Sequence, residues 1–281
     1  MIYILYNPNS GDKNAQNKAE MLINEKNLES KIIDITQITD YKAFLSPLNE
    51  NDTLILCGGD GTLNRFINDT DGIVIIPDVL YYPIGSGNDF ARDVSHEPND
   101  PPFRAKEFLT DLPLVEVKGK TYRFLNNVGF GIDGYCCEQG DIQKQKSDKA
   151  VDYTSIAIRG VLFDFEPRKA TVTVDGITNE YDKVWLAPTL KGRYFGGGMM
   201  ATPHQNRCSI NKELSILIYH GTGKLRTLSI FPKIFKGTHI EHTKYVEIKT
   251  GHEITVTFDR PTPLQIDGET ILDVTTYTAK A

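Results

Sequence analysis

Three turns rich in glycine carry residues that could bind phosphate. The most informative turn follows the apolar residues 53–57 and reads Gly58-Gly59-Asp60-Gly61-Thr62-Leu63-Asn64. Glycines let backbone N–H groups approach phosphate oxygens, and the N-terminus of a following helix adds a positive dipole end. The pattern therefore predicts a phosphate-binding loop. The alternative is a tight turn with Asp60 as a helix N-cap, but three glycines exceed what a cap requires.

Acidic residues accompany two of these turns. The second turn, residues 82–90, contains Gly85-Ser86-Gly87-Asn88-Asp89, and a third turn, residues 6–11, follows the first apolar run. An aspartate beside a phosphate is repulsive unless a divalent cation lies between them. Turns that follow neighbouring parallel strands converge at the carboxyl edge of a sheet, where α/β folds bind ligands. The two acid-bearing turns are therefore expected to lie side by side.

The hydrophobic pattern indicates which elements position these turns. The first third of the chain alternates short apolar runs with helical stretches, which predicts a mainly parallel sheet covered by helices. The first predicted helix carries Ala15, Ala19 and Leu22. The predicted strands are residues 2–6, 31–35, 53–57 and 72–76.

Beyond about residue 113, apolar and polar residues alternate, which is typical of antiparallel strands. Asp175-Gly176 is one of the turn pairs that separate the alternating segments. Two helical stretches, residues 151–163 and 224–235, interrupt this half. The sequence predicts an α/β N-terminal domain, residues 1–118, and a C-terminal β-sandwich-like domain with inserted helices, residues 119–281.

Composition excludes several classes of function. The chain of 281 residues has a formal net charge of -6, so no overall positive field attracts nucleic acid. No apolar run is long enough to span a membrane, and residues 1–6 lack the basic region of a signal peptide, which predicts a cytoplasmic protein. The cysteines are predicted to be reduced thiols, since no C-x-x-C pair or disulfide framework is present.

Six motifs occur in order along the chain, namely Asn7-Pro8-Asn9-Ser10-Gly11, Gly58-Gly59-Asp60-Gly61-Thr62, Gly85-Ser86-Gly87-Asn88-Asp89, Asn127-Val128-Gly129-Phe130-Gly131-Ile132-Asp133, Tyr194-Phe195-Gly196-Gly197-Gly198-Met199 and Asp267-Gly268-Glu269. Together they resemble the motifs of the diacylglycerol kinase catalytic-domain superfamily, and within it those of the bacterial soluble lipid kinases of the diacylglycerol kinase and YegS type. The resemblance implies an N-terminal nucleotide domain like that of phosphofructokinases and NAD kinases, a C-terminal β-sandwich, and an active site in the cleft between them.

The resemblance also implies roles for individual residues. Asp267 falls at the position of the general base that accepts the proton of the substrate hydroxyl, and Asp60 and Asp89 fall at positions that hold Mg²⁺. The implied activity is an ATP-dependent lipid kinase that uses ATP and Mg²⁺, with diacylglycerol as the default substrate. The implied nucleotide contacts are Asn7, Pro8, Asn9, Ser10, Gly11, Gly58, Gly59, Asp60, Gly61, Thr62, Leu63, Asn64, Ser86 and Glu269.

Several alternatives stay open. Asp267-Gly268 is also a common hairpin turn. NAD kinases share the first glycine motif, although they are expected to carry Asn-Glu at the second turn. A nucleotide-binding regulator with little catalysis is suggested by Asn211-Lys212, which stands where the family commonly has an Asp-Gly that holds a structural Mg²⁺. Glu116 stands roughly where some members carry an acid of a charge network, and Gly129–Gly134 fits the loose dinucleotide pattern G-x-G-x-x-G.

A lipid acceptor implies contact with a membrane surface. The stretch from Lys224 to Lys236 contains four bases and six large apolar residues, which favours docking on an anionic membrane. A core helix with basic residues along its edge has the same pattern. The expected partners are a lipid at the membrane surface, the inner face of the membrane as a peripheral contact, and a second copy of the chain as a homodimer.

Overall fold

The fold was analysed in a computed structural model that describes residues 1–10, 14–26, 29–97, 100–146 and 151–281. The chain divides into two units, Met1–Leu112 and Pro113–Ala281. No helix within the described ranges is long and apolar enough to cross a membrane.

The first unit is a five-stranded sheet with helices. Its strands are β1 (Ile2–Tyr6), β2 (Ser30–Asp34), β3 (Thr53–Gly58), β4 (Asp78–Pro83) and β5 (Phe103–Arg104), and its helices are α1 (Ala15–Lys26), α2 (Tyr41–Leu45), α3 (Asp60–Asp69) and α4 (Asp89–Asp93). Short 3₁₀ turns lie at Ile35–Gln37 and Lys106–Phe108. The strand order is β2-β1-β3-β4-β5, with β1 to β4 parallel and β5 antiparallel to β4.

The central strands are buried on both faces. Ile4 and Ile55 pack in one cluster with Ala15 and Ala19 of α1. The next residue in β1, Leu5, points to the opposite face and is fully buried. A strand covered on both sides reads as a continuous apolar run, which is why these strands could be predicted from the sequence.

The prediction of a strand at residues 72–76 is wrong. This segment contains no strand, and its Val74 and Ile76 side chains are exposed. The fourth strand begins at Asp78, which pairs with Thr53 of β3. Alternate residues of β4 are buried, whereas the apolar residues before Pro77 have no neighbouring strand to cover them. An apolar run therefore gave a strand signal one segment too early.

The second unit is built on an antiparallel sheet with ten strands in the described residues. Its strands are β6 (Leu114–Val117), β7 (Lys120–Arg123), β8 (Asn127–Gly131), β9 (Arg168–Val174), β10 (Ile177–Val184), β11 (Leu186–Leu190), β12 (Tyr194–Phe195), β13 (Met199–Met200), β14 (Leu214–Tyr219), β15 (Val246–Gly251), β16 (Glu253–Ile266) and β17 (Glu269–Lys280). The main order is β15-β14-β11-β8-β16-β17-β6-β7, while β9 joins β16 and β10, and β12 and β13 form a separate pair. The predicted fold class, a parallel α/β unit followed by an antiparallel β-rich unit with inserted helices, is confirmed.

Two cores stabilise the second unit. Val115 of β6 and Ile216 of β14, from strands far apart in the sheet order, lie in one core, so the sheet folds over on itself. The other core contains Val161, Trp185 and Ile230 and lies under the helices. Those helices are α5 (Ile132–Lys146), α6 (Tyr153–Arg159) with a π-helical turn Gly160–Asp164, α7 (Lys224–Ile230), and 3₁₀ segments Phe231–Lys236 and Thr238–Glu241.

Candidate active site

The backbones of the turns after β3 and β4 are in direct contact. The carbonyl of Gly58 accepts hydrogen bonds from the N–H groups of Ile84 (3.0 Å) and Gly85 (3.1 Å) and from the hydroxyl of Tyr81 (3.1 Å). A Cβ atom at Gly85 would lie 2.3 Å from the Cα of Gly59. The two glycines are therefore required by this approach, whether or not a ligand is bound.

Asp60 links the same two turns through its carboxylate. Its Oδ2 accepts from the N–H of Asp89 and its Oδ1 from the N–H of Phe90, both at 2.9 Å. These donors are the first N–H groups of α4, where the helix dipole is positive and favours an anion. The side chain is partly exposed, so Asp60 holds the second turn in place and still faces solvent.

The turn after β1 joins this arrangement through Thr62. The amide of Asn7 donates to Thr62 Oγ1 at 3.0 Å, and the hydroxyl of Ser10 lies 3.0 Å from the same oxygen. The sheet order puts β1 beside β3 although β2 comes between them in the chain, so the connections leave β1 and β3 in opposite directions. A ligand site is expected in the gap that this change of direction opens at the carboxyl ends.

The other residues of this unit that are predicted to contact a nucleotide differ in accessibility. Asn9, Gly61 and Ser86 are exposed, Pro8 and Gly59 are partly exposed, and Gly58, Leu63 and Asn64 are buried. The backbone carbonyl of Asn64 accepts a hydrogen bond from the side-chain amide of Asn68 at 2.9 Å, within α3. Gly11 lies outside the described residues.

Asn88 shapes the second turn, a function that the motif alone did not assign. It is buried and has the left-handed backbone conformation, with φ of 50°. Its side-chain amide donates to the carbonyl of Gly85 at 2.6 Å, and its Oδ1 accepts from the N–H of the same glycine at 3.1 Å. Asparagine tolerates positive φ better than most residues, and this was the available signal in the sequence.

The residues of the first unit fit a Mg²⁺ ion that is shared with nucleotide phosphates. Mg²⁺ is usually held by one or two carboxylates together with phosphates and water. Asp60 is a partly exposed carboxylate at the glycine turns, and the buried Asp89 is its hydrogen-bond neighbour. Among the described residues, no group of three or more His, Cys, Asp and Glu side chains could form an all-protein metal site.

In the second unit, Asp267 and Gly268 form the hairpin turn between β16 and β17. Their φ angles of 47° and 92° are those of a type I′ turn. The buried carboxylate of Asp267 turns back onto residues 125–127. It accepts from the N–H groups of Asn126 and Asn127 at 2.8 Å, and also from the N–H of Leu125. The side chain of Asp267 therefore has a structural function in this unit, while Glu269 beside it is exposed.

Two further buried side chains hold this turn and the segment that it contacts. The guanidinium of Arg207 donates to the carbonyl of Leu125 and to Oδ1 of Asn126, both at 2.7 Å. Gln265 accepts from the N–H of Gly268 at 3.0 Å and donates to Oδ2 of Asp133 at 3.2 Å. No short motif marked Arg207 or Gln265, because both act through contacts between residues distant in sequence.

Asp133 is a buried acid at the start of α5. Within the described residues, its Oδ1 has no hydrogen-bond partner. Burial raises the pKa of Asp133 to about 6, an effect that the hydrogen bond from Gln265 opposes. Burial, and to a smaller extent the charge of Asp133, raises the pKa values of Cys136, Cys137 and Tyr277.

The glycines of the segment Gly129–Gly134 are explained by packing. A Cβ at Gly131 would lie 2.4 Å from the carbonyl oxygen of Trp185, and one at Gly134 would lie 2.1 Å from that of Pro263. The pattern G-x-G-x-x-G therefore marks the close approach of β8 and α5 to their neighbours.

Asn211-Lys212 and Glu116, the two positions that depart from the pattern of the resembled family, lie in different local environments. The carbonyl of Asn211 accepts from Nε2 of His252 at 2.9 Å, and Lys212 follows with a positive φ of 55°. An amide and an adjacent lysine do not fit a structural Mg²⁺ at this loop. Glu116 is exposed and forms a 2.8 Å ion pair with Lys280 on the neighbouring strand.

Comparison with known proteins identifies the family. Residues 1–112 match the family described as "Diacylglycerol kinase catalytic domain", and residues 126–279 match "YegS C-terminal NAD kinase beta sandwich-like domain". The second match alone spans more than half of the chain. The protein therefore belongs to the diacylglycerol kinase-like family of lipid kinases.

Individual relatives are distant but similar over most of their length. The chain is 24% identical over 239 residues to the "Putative lipid kinase YtlR" of Bacillus subtilis, covering 77% of this chain and 73% of that protein. It is 24% identical over 217 residues to a diacylglycerol kinase of Mycobacterium tuberculosis, covering 75% and 67%. A crystal structure of a "putative diacylglycerol kinase" from Bacillus anthracis has the same fold, with a TM-score of 0.68, 19% identity, and coverage of 99% and 91%.

Gly61 provides a test of the phosphate-binding loop. It is exposed, and a Cβ there would meet no atom within 4 Å, so the fold does not require glycine. Gly61→Ala should leave stability unchanged or raise it by up to ~1 kcal/mol, since alanine favours the helix. A methyl group would keep phosphate from the backbone, and affinity for MgATP should fall ~10- to 100-fold, as for one lost charge-assisted hydrogen bond.

Gly58→Ala is the contrasting variant, in which the fold itself is affected, because its Cβ would lie 2.3 Å from Thr62 Oγ1. This variant should unfold at lower temperature, with a loss of ~1–3 kcal/mol. Calorimetry with a nonhydrolysable ATP analogue and thermal unfolding measure the two effects. Unchanged affinity in Gly61→Ala would contradict the loop assignment.

The raised pKa of Asp133 predicts that the free energy of unfolding depends on pH. Its pKa is raised from the ordinary value of 3.8 to about 6, so the folded state binds this proton more tightly than the unfolded chain. The stabilisation is complete below about pH 4 and is lost as the pH rises through about 6, a change of up to ~3 kcal/mol.

Asp133→Asn should remove this slope and raise the free energy of unfolding at neutral pH, since no buried charge then forms. Urea unfolding across the pH range measures it. Asp182→Asn, at an exposed position paired with Lys169, is the control and should keep the slope. Parallel wild-type and Asp133→Asn curves would show that this carboxyl does not titrate there.

Proposed function

We propose that the protein is an ATP- and Mg²⁺-dependent kinase that transfers the γ-phosphate of ATP to a lipid hydroxyl, with diacylglycerol as the substrate. The observation that carries the proposal is the joining of three turns by Asp60, Thr62 and the Gly59–Gly85 contact at the carboxyl ends of adjacent parallel strands. Membership in the diacylglycerol kinase-like family supports the choice of a lipid acceptor.

The glycine turns supply the phosphate-binding part of the mechanism. Backbone N–H groups at the start of α3 bind phosphate oxygens, helped by the positive end of the helix. Asp60, with Asp89 beside it, would hold Mg²⁺, and the ion would supply neutralisation of the phosphate charge. Phosphoryl transfer depends mainly on such positioning and charge stabilisation, so the fixed geometry of these turns supports catalysis directly.

Asp267 is the proposed proton acceptor. The lipid oxygen forms a bond to the γ-phosphorus, the bond from that phosphorus to the oxygen bridging to the β-phosphate breaks, and ADP leaves. The hydroxyl proton passes to the carboxylate of Asp267. The hydrogen bonds from residues 125–127 fix the direction of this carboxylate, as a general base requires.

The acceptor is tested by phosphate transfer from radiolabelled ATP into a panel of lipids in mixed micelles, with NAD as a separate acceptor. Label should enter a long-chain diacylglycerol, and transfer should require Mg²⁺. Phosphorylation of NAD with no labelled lipid would replace the proposal with an NAD kinase. ATP binding without transfer to any acceptor would favour a regulator.

Asp267→Asn should lower turnover ~10²- to 10⁴-fold, as expected for loss of a general base. Because this carboxylate also stabilises the fold, a control variant must separate loss of stability from loss of catalysis. The chain offers such a control in a second type I′ turn. Asp175 and Gly176 have φ angles of 47° and 81°. The Asp175 carboxylate accepts from the N–H groups of His252 at 2.9 Å and Glu253 at 2.8 Å.

Asp267→Asn should lose ~1–3 kcal/mol of stability, because its amide N–H₂ then faces a backbone donor from residues 125–127. Asp175→Ala, which removes the acceptor of the His252 and Glu253 N–H groups, should lose a similar amount. Only Asp267→Asn should lose turnover while still binding a nonhydrolysable ATP analogue. Assays below the unfolding temperature of both variants separate the effects. Retention of half the wild-type turnover in Asp267→Asn would limit Asp267 to its structural function.

A further inference from the structure

The stretch from Lys224 to Lys236 has a buried side and an exposed side. Thr227, Ile230 and Ile234 are buried, the two isoleucines in the core under the helices. Leu225 is 82% exposed and Phe235 is 48% exposed. The stretch therefore supplies core residues on one side and presents large apolar side chains to solvent on the other.

A second segment continues the exposed side. The ammonium group of Lys224 donates to the carbonyl of Leu162 at 2.7 Å, which brings α7 against the π-helical turn. Phe163, the next residue after Leu162, is 74% exposed, and Ile158 on α6 is 48% exposed. Phe163 and Leu225 are each one residue away from the contact between Lys224 and Leu162.

Basic side chains lie in the same stretch as Leu225 and Phe235. Lys224, Arg226, Lys233 and Lys236 lie in a stretch that contains no acidic residue. Two acids lie nearby. Asp164 is paired with Arg159 at 2.8 Å, and Glu241 directly precedes His242, whose Nε2 lies 2.7 Å from Nζ of Lys233, so four bases stand against one further acid. A local excess of positive charge therefore stands out on a chain whose net charge is -6.

We propose that this face docks on an anionic bilayer. The docking surface consists of the apolar residues Ile158, Phe163, Leu225 and Phe235 and the basic residues Lys224, Arg226, Lys233 and Lys236. The apolar side chains enter the interfacial region of the bilayer and the bases contact lipid headgroups. The positive charge of the surface complements the negative charge of an anionic membrane. Docking would give the protein access to a hydroxyl of a lipid in the bilayer, and this purpose rests on the proposed function.

The chemistry of the surface favours a bilayer over a protein partner. Long flexible lysines alternate with separate apolar side chains, which suits a fluid surface of headgroups and acyl chains. Each base near an anionic membrane contributes ~1 kcal/mol, and each large apolar side chain that becomes buried adds more. Neither contribution requires a fixed partner geometry.

Sedimentation with vesicles tests the surface without any catalytic step. The wild-type protein should bind vesicles that contain phosphatidylserine and not vesicles of phosphatidylcholine alone, and salt should weaken binding. Phe163→Ser with Leu225→Ser should reduce partitioning ~10- to 100-fold. Ile177→Ser with Ile210→Ser, at exposed positions on other segments, is the matched control and should bind like the wild type.

Charge reversal tests the basic part. Lys233→Glu with Lys236→Glu should abolish binding to phosphatidylserine vesicles, whereas Lys42→Glu with Lys120→Glu, the same charge change at exposed sites elsewhere, should only weaken it. All these variants should phosphorylate a water-soluble short-chain diacylglycerol at the wild-type rate.

Equal vesicle binding by the wild type and both docking-surface variants would overturn the proposal, as would failure of the wild type to bind anionic vesicles. Loss of self-association in the apolar variant, with vesicle binding unchanged, would identify the face as a contact between copies. Vesicle binding needs no ATP or acceptor, so its failure is distinguishable from failure of the kinase assignment.

Discussion

The close approach of the backbone at Gly59 and Gly85 is the constraint on which the first unit depends. No side chain fits between these residues, so the turns after β3 and β4 meet directly. The Gly58 carbonyl and the Asp60 carboxylate then satisfy N–H groups of the opposite turn. A side chain at Gly85 would push the two helix starts apart, because its Cβ would lie 2.3 Å from the Cα of Gly59.

The same hydrogen-bonding arrangement occurs in both units: the carboxylate of an aspartate at a turn accepts hydrogen bonds from backbone N–H groups of a different segment. Asp60 holds the start of α4, Asp267 holds residues 125–127, and Asp175 holds the start of β16. A carboxylate suits this function because it offers several acceptor sites to N–H groups that are otherwise difficult to satisfy. Asp60 and Asp267, which are proposed to act in the chemistry, therefore also define local geometry, and loss of activity alone does not separate the two functions.

The sequence predicted the fold class and the meeting of the two acid-bearing turns, because both depend on local signals. Apolar periodicity marked the buried strands, and glycine marked the turns that must lie close together. It failed at residues 72–76, where an apolar run is exposed and only the pairing of β4 with β3 determines the true strand. It also missed Gln265 and Arg207, since their importance arises from contacts with residues far away in the chain. The stretch from Lys224 to Lys236 was ambiguous in sequence, and the structure has both its core side and its exposed side.

The position of β17 has a consequence for the order of folding during synthesis. This strand lies between β16 and β6, and the ion pair of Lys280 with Glu116 joins residues 164 positions apart. The first unit is complete when residue 112 has left the ribosome, whereas β6, which pairs with β7 on one edge, must wait for β17 to cover its other edge. Long-range pairing of this kind is slow and leaves a strand edge unprotected in the meantime. The first unit is therefore free to fold before the second, while one edge of the β6–β7 hairpin stays open until β17 has been synthesised.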